Sequence, residues 1–185
     1  MSEEFRIIPS IRDVRYLKKA ITECRDSQIL LSNSHIGNLK QLSEICHKNG
    51  KQVIVNHELV GGLSNDKMAF QMLKNLYKVD AVIGSSISKM NMIRNLKFET
   101  IFRVSLMDSV SVEKALQSMK DVRFDIIELR PYYHVLEFLP KFRQVYDGTY
   151  YVTGFVNTEE KLRISKEAGF AGAMTSNHEL WGLQI

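Results

Sequence analysis

The residues best suited to chemistry in this chain gather near its carboxyl terminus. In the stretch YYVTGFVNTEEKLRISKEAGFAGAMTSNHELW, residues 150–181, Gly154 permits close backbone approach, while Thr175, Ser176 and Asn177 bring hydroxyls and backbone N–H groups. A buried anion needs several such donors and often one cation, because desolvating it without partners is costly. Gly154, Phe155, Ser176 and Asn177 are candidate backbone donors to a phosphate, and Thr175 and Ser176 candidate hydroxyl donors. Capping of an ordinary polar turn is the competing reading. Two guanidinium groups could supply the cation. Arg103 lies inside an apolar run, where its charge must meet a ligand anion or a carboxylate of the protein, and Arg130 ends another run. Glu58 and Glu128 suit either hydrogen bonding to the hydroxyls of a polyol or an acid–base pair. His57 could shuttle a proton near neutrality, although a lone histidine at a strand end also serves as a hydrogen-bonding structural residue.

These residues require a scaffold that brings distant segments to one place. Short apolar runs alternate with amphipathic stretches at intervals of roughly 20 to 25 residues, the pattern of repeated strand–helix units. Eight runs are expected as strands: Arg6 to Ile8, Gln28 to Leu31, Gln52 to Asn56, Ala81 to Ile83, Thr100 to Val104, Asp125 to Leu129, Tyr150 to Thr153 and Gly172 to Met174. Val14, Leu17 and Ile21, or Leu39, Leu42 and Ile45, repeat with helical spacing between them. Asp13, Ser64, Asp108 and Thr158 are placed as helix caps, and Asn49-Gly50 and Ala168-Gly169 as helix ends. The reading is an α/β fold, a compact TIM-like (β/α)8 barrel, in which phosphate commonly binds after strands seven and eight. At 185 residues the chain is short for such a barrel, so the last helix is expected to be missing or shortened. An open doubly wound sheet is the alternative.

Composition narrows the classes further. With 44% hydrophobic residues and no linker-like tract, the chain is expected to form a single domain over residues 1–185. The balance of 25 Lys and Arg against 21 Asp and Glu is mildly basic, which permits an RNA partner without demonstrating one. Lys89, Arg94, Lys97 and Arg103, and again Lys141 and Arg143, form either a groove-facing stripe or a solvated helix face. Tyr132 and Tyr133 could stack on unpaired bases or pack beneath the sixth helix. Cys24 and Cys46, expected in separate helices, lack metal or redox spacing, and the remaining histidines make no metal pattern. Residues 1–10 do not read as an apolar leader, and no run approaches a membrane span, so a soluble, cytoplasmic chain without a membrane partner is expected. Dinucleotide, P-loop, serine-hydrolase and zinc-protease signatures are absent.

Four blocks together carry a family resemblance: VNHELVGGLSNDKMAFQML at 55–73, FRVSLMDSVSVEKAL at 102–116, YYVTGFVNTEEKL at 150–162 and AMTSNHELW at 173–181. In this order they resemble the glycerol-3-phosphate-responsive antiterminators over nearly the whole chain. The most specific matches are Gly62 to Asp66, Arg103 with Asp108-Ser109, and Thr175-Ser176-Asn177 with Glu179-Leu180-Trp181. The departures fall at strand ends. Asn56-His57-Glu58 stands where the family tends to histidine, apolar, aspartate. Ser85-Ser86-Ile87 lacks a family cation, Arg130-Pro131-Tyr132 replaces a small turn, and Thr153-Gly154 replaces a glycine pair. Asn56, Ser85 and Thr153 thereby join the candidate ligand residues, and Arg130 is positioned to replace the missing cation.

The resemblance implies a TIM-like barrel that binds glycerol 3-phosphate as effector, with no other cofactor. It would act on the leader messenger RNA of glycerol-use genes so that polymerase passes a terminator. This would be a regulator and not an enzyme, and it could form a homo-oligomer. Two alternatives follow from the residues: a phosphosugar isomerase or epimerase using Glu58 and Glu128, and a related sensor of a different phosphorylated ligand.

Overall fold

Eight parallel strands close on themselves, and each of the first seven is followed by a helix on the outside. The computed structural model describes residues 4–120 and 123–185. The strands are β1 (Arg6–Ile11), β2 (Gln28–Leu31), β3 (Gln52–Asn56), β4 (Ala81–Gly84), β5 (Glu99–Ser105), β6 (Ile126–Arg130), β7 (Thr149–Thr153) and β8 (Gly172–Thr175). They pair in sequence order, and β1 pairs with β8 to close the barrel. The helices are α1 (Leu17–Glu23), α2 (Ile36–Lys48), α3 (Lys67–Asn75), α4 (Ile87–Asn95), α5 (Ser109–Ser118), α6 (Tyr132–Val145) and α7 (Glu159–Glu167).

Strands buried on both faces read as apolar runs, and strand geometry sends alternate residues to opposite faces. Ile8, Leu30, Ile54, Ile83, Ile101 and Met174 fill the barrel interior. Their neighbours of the other parity, such as Ile7, Ile29, Val53, Val82, Phe102 and Val152, join a second cluster with Leu39, Phe70, Ile93 and Leu162 from the helices. Toward the carboxyl ends of the strands, the interior positions change from apolar to polar. Asn56, Glu128 and Thr153 are buried there, one step beyond the apolar plug.

Local chemistry sets where the helices begin. Asp108 accepts the N–H of Ser111 at 2.7 Å and Thr158 that of Lys161 at 3.3 Å, as expected of caps. Ser64 is not the cap of α3. Asp66, in extended conformation, accepts the N–H of Ala69 at 2.9 Å, and the Ser64 hydroxyl donates to Asp66 at 2.8 Å. The stronger acceptor, one step from the first turn, takes the role. Cys24 lies just past α1 and not within it.

Beyond β8 the described residues contain turns and no eighth helix. The Trp181 indole N–H donates to the Thr175 carbonyl at 2.9 Å, and Leu180 and Trp181 are buried. Both residues join the apolar cluster formed by the outward faces of the strands and the helices. Among the described residues, no helix is long and apolar enough to cross a membrane, and no group of three or more potential metal ligands occurs.

Candidate ligand site at the barrel mouth

The register of adjacent strands builds the first part of the site. Arg103 on β5 lies opposite Glu128 on β6, and their side chains form a forked ion pair. Arg103 Nε stands 3.1 and 3.0 Å from the two carboxylate oxygens, and a terminal guanidinium nitrogen is 3.0 Å from Oε1. Thr153 on β7 donates its hydroxyl to the same oxygen at 2.6 Å. The Glu128 side chain is wholly buried and that of Arg103 is 13% exposed, so each is the other's compensation in a poorly solvated place. Arg103 therefore meets a carboxylate of the protein. Glu128 is engaged by two partners and is not a free acid or base.

A second carboxylate is organised beside it. Ser85 donates both its N–H, at 2.9 Å, and its hydroxyl, at 2.7 Å, to Glu58 Oε1. Buried Asn56 accepts the Glu58 N–H at 3.0 Å and so sets the turn that carries the carboxylate. Burial raises the Glu58 pKa, but the Ser85 hydrogen bonds, aided by Arg103, outweigh it and hold the carboxyl below its ordinary range. Ionised Glu58 can accept hydrogen bonds from a polyol, and it is poorly suited to donating a proton. His57 is buried, with Nδ1 2.9 Å from Asn65 Oδ1 and the ring edge-on to Phe70. Its Nε2 has no hydrogen-bond partner and lies 4.0 Å from Glu58. Burial lowers the His57 pKa, opposed in part by Asn65 and Glu58, so the ring is held neutral.

The third part is the corner after β7 and β8. Gly154 and Phe155 both have positive φ, 72° and 67°. Glycine adopts this conformation freely, whereas it costs a residue such as Phe155 roughly 1–2 kcal/mol. A Cβ on Gly154 would stand 3.4 Å from Pro131 Cα and 3.7 Å from Arg130 Cβ, and the Tyr132 N–H donates to the Gly154 carbonyl at 2.9 Å. The loop after β6 therefore lies directly against the loop after β7, with a cis Arg130–Pro131 bond at the contact. Arg130 is exposed and has no ion-pair partner among the described residues. The N–H groups of Gly154, Phe155 and Ser176 likewise donate to no protein acceptor among the described residues.

Two of the expected phosphate donors are committed elsewhere. The Thr175 hydroxyl donates to the Val156 carbonyl at 2.6 Å and accepts the Asn177 N–H at 3.1 Å. The Asn177 side chain ties the loops further, donating to the Asn157 carbonyl at 3.0 Å and accepting the Glu179 N–H at 3.2 Å. Thr175 is buried, so its hydroxyl faces the neighbouring loop and not the mouth. The corner thus leaves Gly154, Phe155 and Ser176 as candidate donors, with Arg130 as a candidate cation.

Lys161 escaped the sequence reading. It sits in the first turn of α7 and reaches back to the preceding loop, donating to the Phe155 carbonyl at 2.8 Å, Asn157 Oδ1 at 2.7 Å and the Tyr133 hydroxyl at 3.0 Å. All three acceptors are neutral. The signal available in the sequence was its position three residues after the Thr158 cap, where a long side chain can fold back over the helix start. The two neighbouring tyrosines separate in role: Tyr132 is buried in the core, and Tyr133 is 63% exposed.

Comparisons with known proteins agree with this architecture. Residues 7–181 match the model of a family described as glycerol-3-phosphate responsive antiterminators. The uncharacterized protein YgcP of Escherichia coli (strain K12) is 28% identical over 184 residues, covering 96% of this chain and 92% of that protein. The structure of a glycerol uptake operon antiterminator regulatory protein from Listeria monocytogenes str. 4b F2365 superposes with a TM-score of 0.87 at 26% identity, over 95% of this chain and 94% of the other. A glycerol uptake operon antiterminator-related protein from Thermotoga maritima MSB8 gives 0.83 at 25% identity, over 97% and 99%. With a match that runs from β1 to the buried Trp181 and a barrel shared with both antiterminator structures, this chain belongs to the glycerol-3-phosphate responsive antiterminator family.

Proposed function

We propose that this protein is a glycerol 3-phosphate sensor that acts on leader RNA of glycerol-use genes and performs no catalysis. The observation that carries the reading is the corner after β7 and β8, where among the described residues the N–H groups of Gly154, Phe155 and Ser176 have no protein acceptor and Arg130, whose Cβ lies against Gly154, has no ion-pair partner. Such a set suits a phosphate dianion, and ionised Glu58 suits the hydroxyls of the polyol. An effector that engages these loops more tightly in one arrangement than another shifts the protein toward that arrangement, by no more than its differential affinity. The carboxylates weigh against an isomerase or epimerase, since Glu128 is held by Arg103 and Thr153 and Glu58 by Ser85. A homo-oligomer is compatible with the same reading.

Isothermal titration of sn-glycerol 3-phosphate, with glycerol and inorganic phosphate as controls, tests it. Saturable binding selective for the phosphorylated polyol is expected, weakened about tenfold in Arg130→Ala, in keeping with loss of a charged hydrogen bond. Absence of binding by folded protein sinks the reading. Preference for another sugar phosphate in the same titration would identify a related sensor with a changed ligand, in line with the departures at Arg130 and Ser85.

A further inference from the structure

Immediately outside the phosphate corner, two large aromatic side chains lie side by side on the surface. Tyr133, on the first turn of α6, is 63% exposed, and Phe155, on the loop after β7, is 64% exposed. Their ring centroids are 5.8 Å apart with planes inclined at 40°. Lys161 lies 4.7 Å from the Tyr133 ring centroid and holds the tyrosine hydroxyl and the Phe155 carbonyl together through one ammonium group. Tyr133 also rests edge-on against buried Tyr132, so the platform has a rigid floor.

This arrangement is difficult to explain as packing. Phe155 holds a left-handed backbone that disfavours any residue except glycine, yet its ring covers no core. Exposed rings cost free energy in water, and a cation bound only to neutral oxygens keeps its full charge. Adjacent exposed rings with an uncompensated cation suit the π-faces and phosphates of unpaired nucleotides, because every base can stack and the backbone is anionic.

We propose that Tyr133, Phe155 and Lys161 form a stacking platform for unpaired bases of RNA, coupled to the effector through the Gly154–Phe155 backbone. The proposal rests on the reading of the protein as one that acts on RNA. Phe155 belongs to both sites: its N–H, in the loop after β7, has no protein acceptor among the described residues, and its ring lies on the platform. An anion that fixes this loop fixes the ring, and a ring engaged by a base orders the N–H that binds the anion. The two ligands therefore strengthen one another by the same factor.

The test is fluorescence anisotropy of a short, labelled single-stranded oligoadenylate titrated with the full chain in saturating glycerol 3-phosphate, with duplex RNA of equal length as control. Tyr133→Leu and Phe155→Gly are the variants. Both are expected to weaken single-strand binding by about tenfold or more, the effect of removing one stacking partner, while duplex binding changes far less. Glycine suits the backbone at residue 155, so the Phe155→Gly melting temperature is expected to be no lower than that of the unsubstituted chain. Oligoadenylate affinity unchanged in both folded variants overturns the platform while leaving RNA binding elsewhere on the protein intact. No RNA binding by the unsubstituted protein overturns both the platform and the RNA-acting reading. Loss of self-association in Tyr133→Leu, seen by sedimentation together with no RNA binding, would assign the patch to contacts between copies of this chain.

Discussion

Both ends of this barrel are polar, but they differ in how completely the polar groups are satisfied within the protein. At the amino-terminal end, Arg6 binds both oxygens of Asp26 at 2.7 Å and donates to the Tyr151 hydroxyl at 2.8 Å. Gln28 donates to Glu99 at 2.5 Å, and Lys51 donates to the carbonyls of Cys24 and Asp26. Burial, the largest influence, pushes the Tyr151 pKa up to about 12, so the phenol stays protonated. Two concavities open there, of about 470 and 270 Å³; Arg6 and Asp26 in their lining are ion-paired, Glu99 and Asp125 accept hydrogen bonds, and Glu4 and Arg25 form no ion pair among the described residues. At the carboxyl-terminal end, Arg103 and Glu128 are equally well matched, but among the described residues Arg130 has no ion-pair partner and the N–H groups of Gly154, Phe155 and Ser176 have no protein acceptor. Concavity alone thus does not mark the candidate site. What sets the carboxyl-terminal corner apart is three backbone N–H groups that have no protein acceptor among the described residues, next to the loop that carries Arg130, and such donors gain by meeting a ligand.

The comparison is broken most severely inside the mouth. Arg103→Met leaves the wholly buried Glu128 carboxylate with Thr153 alone, and a loss of about 3–5 kcal/mol of stability is expected from urea unfolding. A loss below about 1 kcal/mol would show that water replaces the guanidinium, and that the mouth is wetter than the geometry indicates. At the opposite end, Arg6→Ala should cost less, about 1.5–3 kcal/mol, because Arg6 is partly exposed while Asp26 keeps a backbone partner in the Gln28 N–H. Calorimetric binding of glycerol 3-phosphate by that variant is expected to be unchanged. Weakened binding would mean that the two ends are coupled and the contrast between them is false.

The smallest effect concerns pH. Burial lowers the His57 pKa in the folded protein, opposed in part by Asn65 and Glu58, whereas the unfolded chain binds a proton near pH 6.5. The unfolded state therefore takes up more protons as pH falls below about 6.5, and stability falls with it until the folded pKa is reached. As pH falls below about 6.5, the melting temperature should decline more steeply in the unsubstituted chain than in His57→Gln. Glu58 contributes in the same direction only at lower pH, since its depressed pKa adds stability above the ordinary carboxylate range and loses it as pH falls through the folded value. Equal slopes for the two proteins would remove His57 from this account.

Much of the scaffold was legible in the residues. The eight apolar runs match the eight strands closely, because a parallel barrel strand is buried on both faces and must be apolar nearly throughout. Asp108, Thr158 and Gly169 mark helix boundaries through local hydrogen bonds or backbone conformation, which neighbours in sequence decide. A last helix missing or shortened was expected from the chain length, and among the described residues no helix follows β8. Where local rules offered two acceptors two residues apart, the choice failed: Ser64 and Asp66 both suit a cap, and only the backbone path of the turn selects Asp66.

The site divides along the same line. Residue types and their places at strand ends determined that Gly154, Ser176, Arg130, Glu58 and Arg103 would lie around one mouth, since a barrel delivers every strand end to the same face. Which groups remain free there was decided only by tertiary structure. Register pairs Arg103 with Glu128 across 25 residues, burial turns the Thr175 hydroxyl toward Val156, and Lys161 folds back onto Phe155 and Tyr133. Each outcome depends on distances between separate strands and loops. Composition and periodicity carry the fold because backbone geometry repeats along the chain, whereas the satisfaction of a single polar atom depends on contacts that do not repeat.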